Sequence, residues 1–222
     1  MNRICRYIPL LFAISFAYAQ SAAEVNVGFG TVHDKASGSG FDSSDNPCTS
    51  STTSSCVLTP ALSGFYMGFG GAIMLTKHAG FGGEITLQPA KQDYSSLHDA
   101  SGNVYPLKLR QMFYDVDAIY APVNQKKFML RLMGGVGAAS TRFSISSSSC
   151  VGTAVCQNQT QPYANSTHFQ VHAGVGVQVY LKEHIFIRPQ FDLHYVPNFT
   201  NQFGSNVAPG FTVWLGYSMG DR

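Results

Sequence analysis

From Phe169 to Leu181 every second residue is apolar: Phe169, Val171, Ala173, Val175, Val177, Val179 and Leu181. His168, Gln170, His172, Gly174, Gly176, Gln178 and Tyr180 fill the gaps. A period of two belongs to a strand, whose successive side chains point to opposite faces. At roughly 3.3 Å per residue and a tilt near 40°, such a strand rises on the order of 30 Å, enough for the apolar band and flanking aromatic girdles of an outer-membrane barrel. A soluble strand averages about half that length. The apolar face is therefore expected to meet lipid, and the pattern recurs along the chain.

Eight alternating segments are legible, over Glu24–Val32, Leu62–Leu75, Gly80–Pro89, Leu107–Tyr120, Phe128–Ala139, His168–Leu181, Ile185–Val196 and Gly210–Met219. Their outward sets begin with Val25, Val27 and Phe29 on the first and end with Phe211, Val213, Leu215 and Tyr217 on the last. Connections alternate in length. Those around Thr76–Ala79, Pro122–Lys127 and Lys182–His184 are short, and those around His33–Pro60, Ala90–Pro106, Ser140–Thr167 and Pro197–Pro209 are long. Short periplasmic turns and long external loops are the rule for such barrels, which places both ends of the barrel domain in the periplasm.

The apolar parity independently sets the opposite face. It carries Glu84, Asp115, Asp117, Arg131, His172, Gln178, Arg188, Gln190, Asp192 and His194. A slip of one residue would place Arg131 or Arg188 in lipid at a cost of about 2–4 kcal/mol, so register is strongly specified. An interior network is expected, with Glu84, Asp115, Asp117 and Asp192 set against Arg131 and Arg188. Pro189 has outward parity but no ladder donor, which predicts a bulge or a local break.

The first residues read as a secretory signal: Arg3 and Arg6, an apolar stretch from Ile8 to Phe16, and a small-residue cleavage site at Ala17-Tyr18-Ala19. The barrel domain is then expected over residues 20–222. Removing Arg3 and Arg6 from the 14 Lys+Arg balances the 12 Asp+Glu, and no basic stripe points to nucleic acid. Charged residues are only 12% of the chain against 22 glycines, which is low for a water-soluble domain and ordinary for a lipid-facing one. Cys5 leaves with the signal. Cys48 and Cys56, and Cys150 and Cys156, form two close pairs, and in an oxidising compartment two local disulfides are the simplest of three connectivities. Neither spacing suits a zinc site.

Taken together these segments resemble the small OmpA-like and OmpX-like outer-membrane β-barrels over essentially the whole mature sequence. The carriers are the Ala17-Tyr18-Ala19 leader, the eight strands, the four long loops and a final strand, Phe211–Met219, similar to the family's assembly-signal strand. The resemblance implies an all-β, eight-stranded antiparallel up-and-down transmembrane barrel in the outer membrane of a Gram-negative envelope. It also implies lipid and the barrel-assembly machinery as partners.

An eight-stranded interior is filled by side chains, whereas aqueous porins use about sixteen strands, so a general porin is not expected. Some such barrels modify lipid A, and Ser166 with His168, or His194 with Asp192, are the pairs to test against that chemistry. A secreted lipocalin-like carrier is the third class, and it would invert the faces. Phe128, Phe169, Tyr120, Tyr195 and Tyr217 suit interface girdles, while parity turns Tyr180 inward. The reading is a non-enzymatic envelope protein that displays its loops, with an extracellular ligand for those loops left open. No catalytic, metal or cofactor residue is nominated. The glycosylation-like triplets at Asn158, Asn165 and Asn198 carry no weight in a bacterial envelope protein.

Overall fold

The computed structural model describes residues 22–33, 62, 64–98, 104–151, 155–201 and 203–220. The leader and the pair Cys48 and Cys56 lie outside these residues. Nine strands form one antiparallel sheet: β1 (Ala22–Val32), β2 (Gly64–Met74), β3 (Ala79–Leu87), β4 (Gln92–His98), β5 (Val104–Asn124), β6 (Phe128–Val151), β7 (Val155–Tyr180), β8 (Ile185–Tyr195) and β9 (Val207–Met219). Each ring strand pairs with its sequence neighbour, β1 pairs with β9, and β3 with β5 completes the circle. Eight positions therefore make the barrel. The ninth strand, β4, continues the line of β3 along β5: β3 pairs with Met112–Tyr120 and β4 with Val104–Leu109.

The apolar parity holds around the ring. Val25, Phe29, Phe65, Phe69, Phe81, Ile85, Val116, Leu132, Val136, Val171, Val175, Phe191, Leu193, Phe211 and Leu215 all stand exposed on the outside. Glu84, Asp115, Asp117, Arg131, Arg188 and Asp192 are buried inside. This distribution is the inverse of a soluble carrier and corrects the lipocalin alternative. Tyr120 and Tyr217 stand outward near the end that holds the short turns, and Phe169 and Tyr195 near the other end, as two aromatic rims. Tyr180 is inside, its hydroxyl 2.5 Å from Gln178 Nε2.

The short turns lie at Leu75–His78, Gln125–Lys127 and Leu181–His184. They are clasped to neighbouring strands: Ala121 N donates to the His78 carbonyl, Tyr180 N to that of Lys127 and Ser218 N to that of His184. At Pro189 the β7–β8 ladder skips from Gly176–Gln190 to Val179–Ile187 in unchanged register, a local break and not a bulge. The β8–β9 ladder continues through Pro189 and Val213.

Two long connections differ from the sequence reading. Most of Ser140–Thr167 is strand. β6 and β7 run on as a paired hairpin past the barrel rim, with one register shift where Phe143 faces Ala164 and Ser144 faces Pro162. Ala90–Pro106 likewise contains β4 and the start of β5. Both stretches hold mainly polar residues, with apolar ones such as Leu97, Phe143 and Ile145 too scattered to set a sustained period, yet ladder bonding carries the strands on.

Glycine makes room for the lumen's largest side chain. Trp214 on β9 is buried, and a Cβ at Gly28 on β1 would lie 2.6 Å from its ring. A Cβ at Gly68 on β2 would meet the same ring.

Candidate functional site

The lumen is layered along the barrel axis. Near the short turns, inward positions of β2, β5 and β6 supply an apolar cluster of Ala72, Met74, Ile119, Ala121, Met129 and Met133. A cavity of about 220 Å³ lies at this end, lined in part by Glu24, Lys77, Lys126, Met129 and Tyr180.

The middle of the lumen is polar. Arg131 Nη2 lies 2.9 Å from Glu24 Oε2, both fully buried. Arg188 Nη2 lies 2.5 Å from Glu84 Oε1, and Gln190 Nε2 donates to Glu84 Oε2 and to Asp192 Oδ1, each at 2.8 Å. Arg188 also sits 5.4 Å from the centroid of the Trp214 ring. His172 stands between carboxylates, its Nδ1 2.8 Å from Asp117 and its Nε2 3.1 Å from Asp192. Both contacts are hydrogen-bonded when both ring nitrogens carry a proton, because ionised carboxylates only accept. Gln170 Nε2 donates to Asp115 Oδ1 at 2.6 Å. His194 stacks between Phe113 and His172, with centroids 4.5 and 4.9 Å away, and its Nδ1 lies 3.8 Å from Asp115.

All six charged residues expected from parity are thus inside, but they do not form one ring of acids around two arginines. The structure divides them into an Arg131 pair, an Arg188 pair and a histidine-centred group. One member, Glu24, and the role of another, His172, escaped the sequence reading. Glu24 follows from the outward parity of Val25 and Val27, and that signal was present. His172 was placed inward, but its clamp between two aspartates depends on how β5, β7 and β8 stack around the circle, which no single strand reveals.

The far end is apolar again. Val32, Leu62, Tyr66, Leu107, Leu109, Phe113, Ala139, Phe143, Val196, Phe199, Phe203 and Ala208 form one buried cluster. Its cap comes from the β8–β9 connection. Asn198 adopts a left-handed backbone (φ 64°), which asparagine tolerates, and a short 3₁₀ turn over Phe199–Asn201 follows. Phe203 N donates to the Phe199 carbonyl, Val196 N to that of Asn206 and Thr200 N to Asn206 Oδ1. These bonds fold the connection over the mouth, and the Phe199 and Phe203 rings pack with centroids 4.3 Å apart.

The pairs considered for lipid chemistry do not face lipid. Ser166 and His168 occupy lumen-side positions of β7, and the His168 ring meets Phe199 edge-on, with centroids 6.3 Å apart. Asp192 contacts His172 and Gln190, and His194 contacts Asp115. Among the described residues no group of three or more His, Cys, Asp and Glu is arranged to hold a metal ion.

Cys150 and Cys156 are directly opposite each other in the β6–β7 ladder. The hairpin beyond the rim therefore has the two cysteines in register near its tip.

Comparison with known proteins agrees with this architecture. The structure is similar to that of Ail, the attachment invasion locus protein of Yersinia pestis, solved in complex with the heparin analogue sucrose octasulfate. The TM-score is 0.51 at 9% identity, covering 90% of this chain and 99% of that one. The outer membrane protein OprG of Pseudomonas aeruginosa matches with a TM-score of 0.49 at 15% identity, over 91% of this chain and 98% of that one. No curated protein matches the sequence. The family described as outer membrane protein beta-barrel domain matches residues 8–218. With its lipid-facing exterior and closed ring, this chain belongs to that outer membrane β-barrel family and is an integral protein of the outer membrane.

Proposed function

We propose that the protein is a non-enzymatic envelope component that strengthens the outer membrane and carries the β6–β7 hairpin and its long loops to the cell surface, where a loop ligand would bind. The observation that carries this reading is the filling of the lumen. An apolar cap, a polar middle and an apolar cluster follow one another along the axis, and the titratable groups are engaged with one another. Paired buried charges of this kind serve as a structural plug. The aligned cysteines near the hairpin tip fit a disulfide that orders a displayed element in an oxidising compartment.

Protease treatment of intact cells, followed by mass spectrometry, tests display. Cleavage confined to the β6–β7 hairpin and the long loops is expected, with the barrel strands retained; a hairpin protected in intact cells but cut in opened cells would reverse the orientation. The absence of lipid chemistry is tested by comparing the acyl and phosphate pattern of lipid A with and without the gene. An unchanged pattern is expected, and a shifted one would restore the lipid A-modifying alternative.

A further inference from the structure

Outward positive charge on the strands is confined to one sector of the barrel. Among the described residues, the outward positions of β1, β2, β7, β8 and β9 hold no lysine, arginine or carboxylate. On β5, moving away from the short turns, the outward series Tyr120, Ala118, Val116, Tyr114 and Met112 is followed by Arg110 and Lys108. On β6 the corresponding series passes through Val136, Ala138 and Ser140 to Arg142, and the register sets Arg110 directly opposite Arg142. Lys91 is exposed just before β4, on the other side of β5. Lys108 has Asp93 as its register partner, whereas the two arginines have each other.

Like charges directly opposite on an antiparallel pair repel, so this rung calls for an anion between them. The ion pairs of Arg131, Arg188, His172 and His194 lie inside the lumen, and none of them involves Arg110 or Arg142. Arg110 is half-buried and anchored, its Nη2 donating to the Pro89 carbonyl at 2.9 Å, while Arg142 is exposed. The height of the rung selects the anion. One outward position is about 6.6 Å along a strand and so about 5 Å along the membrane normal, which puts Arg110 within the headgroup layer just above Met112. Both side chains share the face of the lipid-contacting stripe, away from the lumen mouth.

We propose that Arg110 and Arg142 form a binding site for a phosphate group of an outer-leaflet glycolipid. Each guanidinium donates to phosphate oxygens, and planar paired donors suit that geometry better than ammonium groups do. Lys108 and Lys91 add charge beside the site without defining it. The site rests on the orientation given under Proposed function, with the hairpin end outside.

Native mass spectrometry of the detergent-purified barrel titrated with bisphosphorylated lipid A tests this directly. Three samples are compared: wild type with lipid A, R110Q/R142Q with lipid A, and wild type with dephosphorylated lipid A. Binding at least about tenfold weaker in the second and third is expected if charge-assisted phosphate contacts hold the lipid. Equal binding in all three overturns the site. Sucrose octasulfate serves as a soluble polyanion; arginine-dependent retention of it, with arginine-independent binding of lipid A, overturns the lipid assignment in favour of a soluble ligand. If R110Q/R142Q does not fold, the exposed-site variant R142Q and the dephosphorylated lipid on wild type still decide the matter. A detergent sample has no leaflets, so the result is readable whatever protease treatment of cells says about orientation.

Discussion

Arg188 shows what a single residue does in this lumen. Its guanidinium faces Glu84 and lies against the Trp214 ring, with almost no solvent contact. Replacement by alanine leaves Glu84 buried without its cation, a change expected to cost about 3–5 kcal/mol in urea unfolding of the refolded barrel. The double variant E84Q/R188M removes both charges and is expected to recover part of that loss; equal losses in the single and the double would show that packing, not charge, explains the effect. Arg131→Ala should behave alike, because it strands Glu24. The glycines beside Trp214 give a second test. Gly28→Ala drives a methyl into the indole, with an expected loss of about 1–3 kcal/mol from overpacking and a shifted emission from the chain's one tryptophan. Unchanged emission and stability would mean that the ring's seat does not depend on the missing Cβ at Gly28. At this scale the sequence was informative about which face each charge occupies, since apolar neighbours two residues apart set the parity. It was silent on partners, because Arg188 and Glu84 meet across the lumen from β8 and β3.

The β6–β7 hairpin shows where pattern reading fails for an element. Its membrane-crossing half alternates cleanly, and those boundaries were legible at the end near the short turn. After Phe143 and Ile145 both strands turn mainly to Ser, Thr, Asn and Gln, so the period fades although the ladder bonds continue to Cys150–Cys156 and Val151–Val155. The same applies to β4, whose register with β5 shifts between Asp93 and Ser95. A bond between Cys150 and Cys156 encloses a short loop, so its effect is expected to be local order, with at most about 2–3 kcal/mol overall. Oxidised protein should show no free thiol at these positions by alkylation and mass spectrometry. Reductant should speed proteolysis of the hairpin tip and leave the barrel core intact. Free thiols in protein taken from the envelope would remove the disulfide from the account.

For the whole molecule, the governing fact is that an eight-position ring leaves an interior just wide enough for side chains, and this chain fills it in three layers. The polar layer was readable in advance because strands report it by parity. The outer apolar cap was not, because Phe199 and Phe203 belong to a connection without period and reach the lumen only through the backbone turn at Asn198 and the bonds to Asn206. That cap stands across any path through the lumen, which makes permeability testable. Charged residues midway would by themselves allow a hydrated, gated path, but ions arriving from the loop end meet the buried Phe199 and Phe203 rings over Phe113 and Phe143. Planar bilayers containing the wild-type barrel are therefore expected to show no steady conductance. F199S/F203S removes the aromatic cap while leaving the eight strands and the mid-lumen pairs untouched, so it should retain the heat-dependent gel shift of a closed barrel and yield small, discrete current steps. Steady current through wild type would show that the cap is not a seal. Silence in both would place the barrier lower, at the His172 and Arg188 groups, where H172A in the F199S/F203S background is the variant that should then open it.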